Sequence, residues 1–135
     1  MSKLSFVAAL PAALPAAILA ALAFAPDLAA QVTLKKGAVV YCGSASNTSA
    51  PATVDHKKLR AATPEWQKIE ANGIDPDSAR GRQLISKMNK RIRKAVQSVA
   101  NAESRDLVTR ESDLKDDRGR EVVDLTDAVV DKLEE

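Results

Sequence analysis

Residues able to carry chemistry are few and scattered in this chain. His56 is the only histidine and stands beside Lys57 and Lys58, and Cys42 is the only cysteine and reads as lying in a loop. No glycine-rich segment is built to cradle a phosphate. Acids crowd at Glu111, Asp113, Asp116 and Asp117, but their spacing does not match a calcium loop, and they read as a solvated turn. No catalytic residue, metal site or cofactor is expected, so the chain does not read as an enzyme. What stands out is a run of cations. Arg80, Arg82, Lys87, Lys90, Arg91, Arg93 and Lys94 follow one another with no acid between Ser78 and Ala102. No aromatic residue is interleaved with them for base stacking, which argues against nucleic acid as the partner.

The cations need a helix to display them, and the apolar pattern supplies one. Ile85, Met88, Ile92, Ala95, Val99 and Ala102 recur at alternating steps of three and four, with Leu84 and Val96 widening the stripe. This predicts a long helix over 76–101, opened by Asp75 as cap with Pro76 in the first position. Upstream, a strand is expected at 52–55, a helical turn or two at 56–62, and a brief helix capped by Thr63 and stopped at Asn72-Gly73. Downstream, 106–110 and 121–125 read as strands of a hairpin turned at Asp116 to Gly119, and Thr126 is expected to cap a last short helix. The expected core and assembly residues are Ile85, Met88, Ile92, Val96, Val99, Leu107, Val123 and Leu125. The fold class implied is α+β.

Charge and hydropathy divide the chain further. Residues 52–102 carry a balance of +6 and residues 103–135 one of −6, a division hidden in the overall +2. Phe6 to Ala25 is almost wholly apolar and follows Lys3, as a secretory signal would, so residues 1–30 are expected to be a signal peptide cleaved near Ala30. Residues 31–51 end in a small, polar stretch and read as a flexible linker, which leaves 52–135 as the folded domain. Export implies an oxidising compartment, where a lone cysteine allows no intrachain disulfide. Trp66 and Tyr41 are the only aromatics after the apolar segment, a sparse supply that favours oligomerisation.

Several blocks taken together carry a resemblance. They are Arg91-Ile-Arg-Lys-Ala-Val-Gln-Ser-Val-Ala-Asn101, then Asp106-Leu-Val, Val123-Asp-Leu-Thr-Asp127 and Val129-Val-Asp-Lys-Leu133, preceded by Thr53-Val-Asp-His-Lys-Lys-Leu59 and Thr63-Pro-Glu-Trp-Gln-Lys68. In order and spacing they resemble the Skp/OmpH family of periplasmic chaperones over most of residues 52–134. The resemblance implies a homotrimeric body of β-strands and short helices from which coiled helical arms enclose unfolded outer-membrane proteins. It implies body strands at Thr53 to Asp55, Asp106 to Arg110 and Glu121 to Leu125, with the long helix as a stub of an arm. Between Pro64 and Arg91 the chain is too short for the family's two long limbs. The function expected is a periplasmic holdase that meets unfolded outer-membrane proteins through Lys87, Lys90, Arg91, Arg93 and Lys94. The alternative is a non-catalytic oligomeric scaffold that retains only the head.

Overall fold

The computed structural model describes residues 31–135. The expected signal segment, 1–30, lies outside the described residues. The fold is α+β. Among the described residues the order is β1 (Thr33–Leu34), β2 (Val40–Gly43), β3 (Pro51–Val54), α1 (His56–Ala61), α2 (Pro64–Ala71), α3 (Ala79–Ala102), β4 (Leu107–Arg110), β5 (Leu114–Asp116), β6 (Val123–Asp124) and α4 (Thr126–Glu134). Four strands form one sheet in the order β2-β4-β3-β6, and β1 pairs with β5 in a separate two-stranded ribbon.

β3 is the centre of the sheet. It runs parallel to β4, with Pro51 opposite Leu107 and Val54 opposite Arg110, and parallel to β6, with Ala52 opposite Val123. All four of its residues are buried. Parallel neighbours cannot be joined by a tight turn, so the chain between β3 and β4 makes a long crossover through α1, α2 and α3. This corrects the expected hairpin: 106–110 and 121–125 do not pair, because β3 lies between them. The turn chemistry is nevertheless used. Asp116 Oδ1 accepts from Arg118 N and Asp117 Oδ1 from Gly119 N, and this turn leads out of β5 towards β6.

α3 supplies one side of the core. Met88, Ile92, Ala95, Val96, Val99 and Ala100 are buried in a cluster with Tyr41, Val54 and Val108 of the sheet, Leu59 of α1, and Leu125, Val129 and Leu133 at the carboxy end. Leu107 is also fully buried, whereas Ile85 and Val123 are half-buried and pack against the cluster. Burying one such branched side chain contributes about 1.5–3 kcal/mol. The helix begins at Ala79 rather than Pro76, because Ser78 takes the capping position and its Oγ accepts from Gly81 N at 3.0 Å. Asp75 instead closes a turn, accepting from Asp77 N at 2.9 Å. Gly81 allows that turn to lie against the helix: a Cβ there would come within 2.1 Å of the Asp75 carbonyl oxygen. Thr126 is likewise not the cap of α4. It is the first helical residue, its N–H donates to Asp124 Oδ1, and its Oγ1 accepts from Asp55 N at 2.9 Å, which ties α4 to the end of β3.

The expected linker over 31–51 is not one. It contains β1 and β2, with Val32 and Tyr41 buried, and β2 pairs antiparallel with β4. Even the small, polar stretch after Gly43 is held. Asp106 accepts from Ser49 N at 2.6 Å, Ser49 Oγ at 2.7 Å and Ala50 N at 2.9 Å, so one carboxylate fixes the loop to the start of β4. Gly43 has φ +81°, and a Cβ there would fall 1.8 Å from the Asp106 carbonyl oxygen. Long-range hydrogen bonds of this kind leave no trace in composition.

Burial pushes the Asp106 carboxyl up, but the bonds from Ser49 and Ala50 outweigh it and the net shift is downward from 3.8. A depressed folded value means that the stabilisation is present above the unfolded value and is lost as pH falls through the folded one. Asp106→Ala is expected to cost about 2 kcal/mol at pH 7. Urea unfolding should show the gap from the parent closing as the pH is taken below about 4.

Candidate functional site: the basic face of α3

The 24 residues of α3 make a rod of about 36 Å. Since Met88, Ile92, Ala95, Val96 and Val99 commit one side to the core, the intervening positions must point outward. Lys87, Lys90, Arg91, Arg93 and Lys94 are all exposed, as are Arg80 and Arg82 nearer the start of the helix. The expected client-binding residues therefore share one solvent-facing surface.

Arg91 differs from the others. Its Nη2 lies 2.9 Å from Glu65 Oε1, and its Nε lies 3.1 Å from both carboxylate oxygens. Glu65 stands in the first turn of α2 with its side chain 11% exposed. Burial raises the Glu65 carboxyl, yet the Arg91 hydrogen bonds overcome this and leave it lowered. The fork fastens α2 to α3, so Arg91 acts structurally and its charge is largely answered. Sequence reading missed the pairing because the acid lies 26 positions away, on another helix. Among the described residues, Lys87, Lys90, Arg93 and Lys94 make no ion pair.

Besides a depression of about 220 Å³ against α2, lined by Glu65, Leu84, Lys87 and Arg91, two others flank this face. One, of about 450 Å³, lies along the first half of α3 and is lined by Pro76, Asp77, Arg82, Ile85, Lys90 and Arg93. The other, of about 300 Å³, lies between α3 and α4 against Arg91, Lys94, Ala95, Ser98 and Leu133. Each offers a little apolar surface within a rim of mixed charge, with Asp77 at the first and Glu135 at the second. His56 is half-buried, and its Nδ1 lies 2.8 Å from Tyr41 Oη. Cys42 is half-buried on β2 opposite Val108. Burial raises its thiol, against a weaker lowering by a backbone hydrogen bond from Val108. Among the described residues, no group of acids, histidine and cysteine could hold a metal ion, and no helix is long and apolar enough to cross a membrane.

Comparison of the chain with protein-family models, curated proteins and solved structures finds no match.

A half-exposed ion pair of this geometry is expected to contribute about 0.5–1 kcal/mol. A double-mutant cycle with Glu65→Gln and Arg91→Gln should recover that coupling, and added salt should reduce it. Additive single substitutions would mean that the fork contributes nothing to α2 docking.

Proposed function

We propose that the protein is an exported holdase that binds unfolded outer-membrane proteins through the basic face of α3. The observation that carries this reading is the set of exposed cations that make no ion pair among the described residues, Lys87, Lys90, Arg93 and Lys94, on a helix whose other side is fixed in the core. A rigid row of like charges attracts an acidic, extended chain over the whole length of the rod. It speeds encounter without demanding a sequence. The resemblance to the Skp/OmpH chaperones supports the class of client and the periplasmic setting. The trimeric body and the view of α3 as the stub of an arm belong to the same proposal.

With Arg91 paired to Glu65, the proposed contact rests on Lys87, Lys90, Arg93 and Lys94, of which Lys87, Lys90 and Lys94 form a row at spacings of three and four. The depressions beside Ile85 and Leu133 give apolar side chains of a client somewhere to rest. Their shallowness and the short helix imply weak retention compared with a long-armed relative.

Replacing Lys87, Lys90 and Lys94 together by Glu should abolish suppression of aggregation of an unfolded outer-membrane protein while leaving the circular dichroism melt nearly unchanged. The parent's activity should fall as ionic strength rises, because screening shortens to roughly 8 Å at physiological salt. Full activity in a folded triple variant would favour the scaffold reading.

A further inference from the structure

β2 is an edge of the sheet, paired among the described residues with β4 alone, and one of its side chains reaches across to α1. Tyr41 is buried in the core cluster, and its Oη lies 2.8 Å from Nδ1 of His56, the first residue of α1. The two rings are stacked, with centroids 6.5 Å apart and planes at 25°. This contact sits where the ladder is weakest, because the register between β2 and β4 is broken between Val40 and Cys42, at Tyr41 itself. Such a break leaves a residue without ladder bonds, so the hold on this part of β2 falls to side chains. Upstream, Val39 is held separately: its N–H donates to Asp113 Oδ2 at 2.9 Å and its carbonyl accepts from Thr109 Oγ1 at 2.9 Å.

The direction of the Tyr41–His56 bond follows from the third member of the group. The Arg110 guanidinium, at the end of β4, acts on the Tyr41 hydroxyl by hydrogen bonding and by charge. A guanidinium has donors alone, so it addresses the oxygen, and the hydroxyl proton is left to point at His56 Nδ1. That nitrogen must then be bare, which places the ring proton on Nε2 and requires a neutral imidazole. An imidazolium would set N–H against O–H, and the hydroxyl proton would lose its acceptor. The other groups around the ring are Asp55, Lys57 and Arg60 on or beside α1, and Glu111, Ser112 and Asp113 after β4. Asp55 is occupied in capping α1, accepting from Lys57 N at 2.9 Å and Lys58 N at 3.4 Å, and Asp113 in holding Val39. Burial lowers the imidazole most, Arg110 and Arg60 lower it further, and Asp55 and Asp113 oppose them without restoring the ordinary value.

We propose that Tyr41 and His56 form a pH-sensitive latch: while His56 is neutral the hydroxyl donates to Nδ1 and closes β2 onto α1, and protonation of His56 breaks that bond and loosens β2 from Tyr41 onward. Because the folded value lies below the ordinary 6.5, the latch stabilises the fold in full above 6.5 and loses its contribution as pH falls through the folded value. Opening uncovers the edge of β4 at Val108, opposite Cys42, and the apolar cluster beneath Tyr41. The latch does not depend on holdase activity or on the basic face of α3.

His56 is the only histidine, so NMR of its ring nitrogens in the full folded chain reads the latch without overlap. At about pH 8 the spectrum should show Nδ1 bare and Nε2 protonated. On acidification the ring should titrate below 6.5, and Tyr41→Phe, which removes the partner of the neutral ring, should move that midpoint upward. Hydrogen exchange, corrected for the intrinsic pH dependence of amides, gives the conformational readout. Protection at residues 41–43 should fall several-fold between about pH 7.5 and 5, while that of Val96 and Val99 in α3 is kept. His56→Gln offers the hydroxyl an acceptor that gains no proton, so it should abolish the fall and separate the latch from any carboxylate titration. A proton resident on Nδ1 at the higher pH, protection at 41–43 that ignores pH, or an equal fall in His56→Gln would overturn the proposal.

Discussion

Ile92, Val96 and Ala100 lie on the one stripe of α3 that the rest of the fold covers, and burial of that stripe decides where every other side chain on the helix can point. Their side chains share a cluster with Tyr41, Val54 and Val108 of the sheet and with Val129 and Leu133 of α4. A helix clasped on this side cannot roll without exposing apolar surface, at about 25 cal/mol for each Å². The cations between the buried positions are therefore fixed in direction as well as in sequence. Structure and proposed function are coupled at this point: the same periodicity that builds the core sets out the charges.

The connections hold that arrangement from three directions. Glu65 fastens α2 to α3 through Arg91, Asp106 pins the loop after β2 to the start of β4, and Thr126 joins α4 to the residue after β3. Each is a polar contact between segments far apart in the chain, and each has one partner at or beside the end of an element. The charge division along the chain acquires a spatial sense from this. The acidic carboxy-terminal helix packs on α3 through Val129 and Leu133, while Asp127, Asp131 and Glu134 face solvent. One helix thus presents positive charge to solvent and its neighbour negative charge. An acidic client would be drawn to the first and turned away from the second.

Much of this was legible in the residues. The three-and-four spacing located α3 and its buried stripe, Thr63-Pro64 located the start of α2, and Gly73, at φ +57°, follows its end. The errors fell where local chemistry permits several outcomes and tertiary pairing chooses among them. Asp75-Pro76 is a good helix start, but Ser78 is a second one, and the close contact at Gly81 favours the later start. Two β-branched segments around a turn read as a hairpin, yet β3 separates them, and strand order is a property of the whole sheet. The stretch after Gly43 looked loose because it lacks apolar periodicity, but it is held by hydrogen bonds to Asp106, more than fifty positions away. The same blindness hid Glu65 from the basic face and Tyr41 from His56.

The central claim is that α3 divides its labour, one side for the fold and the other for clients. Site-specific photo-crosslinking tests it most directly, with the reactive group placed in turn at Lys90 and at Ala128, both exposed but on opposite-charged helices. Mixed with an unfolded outer-membrane protein at low salt, the chain is expected to crosslink strongly from position 90 and little from position 128. Equal yields from the two positions, or a preference for position 128, would contradict the account.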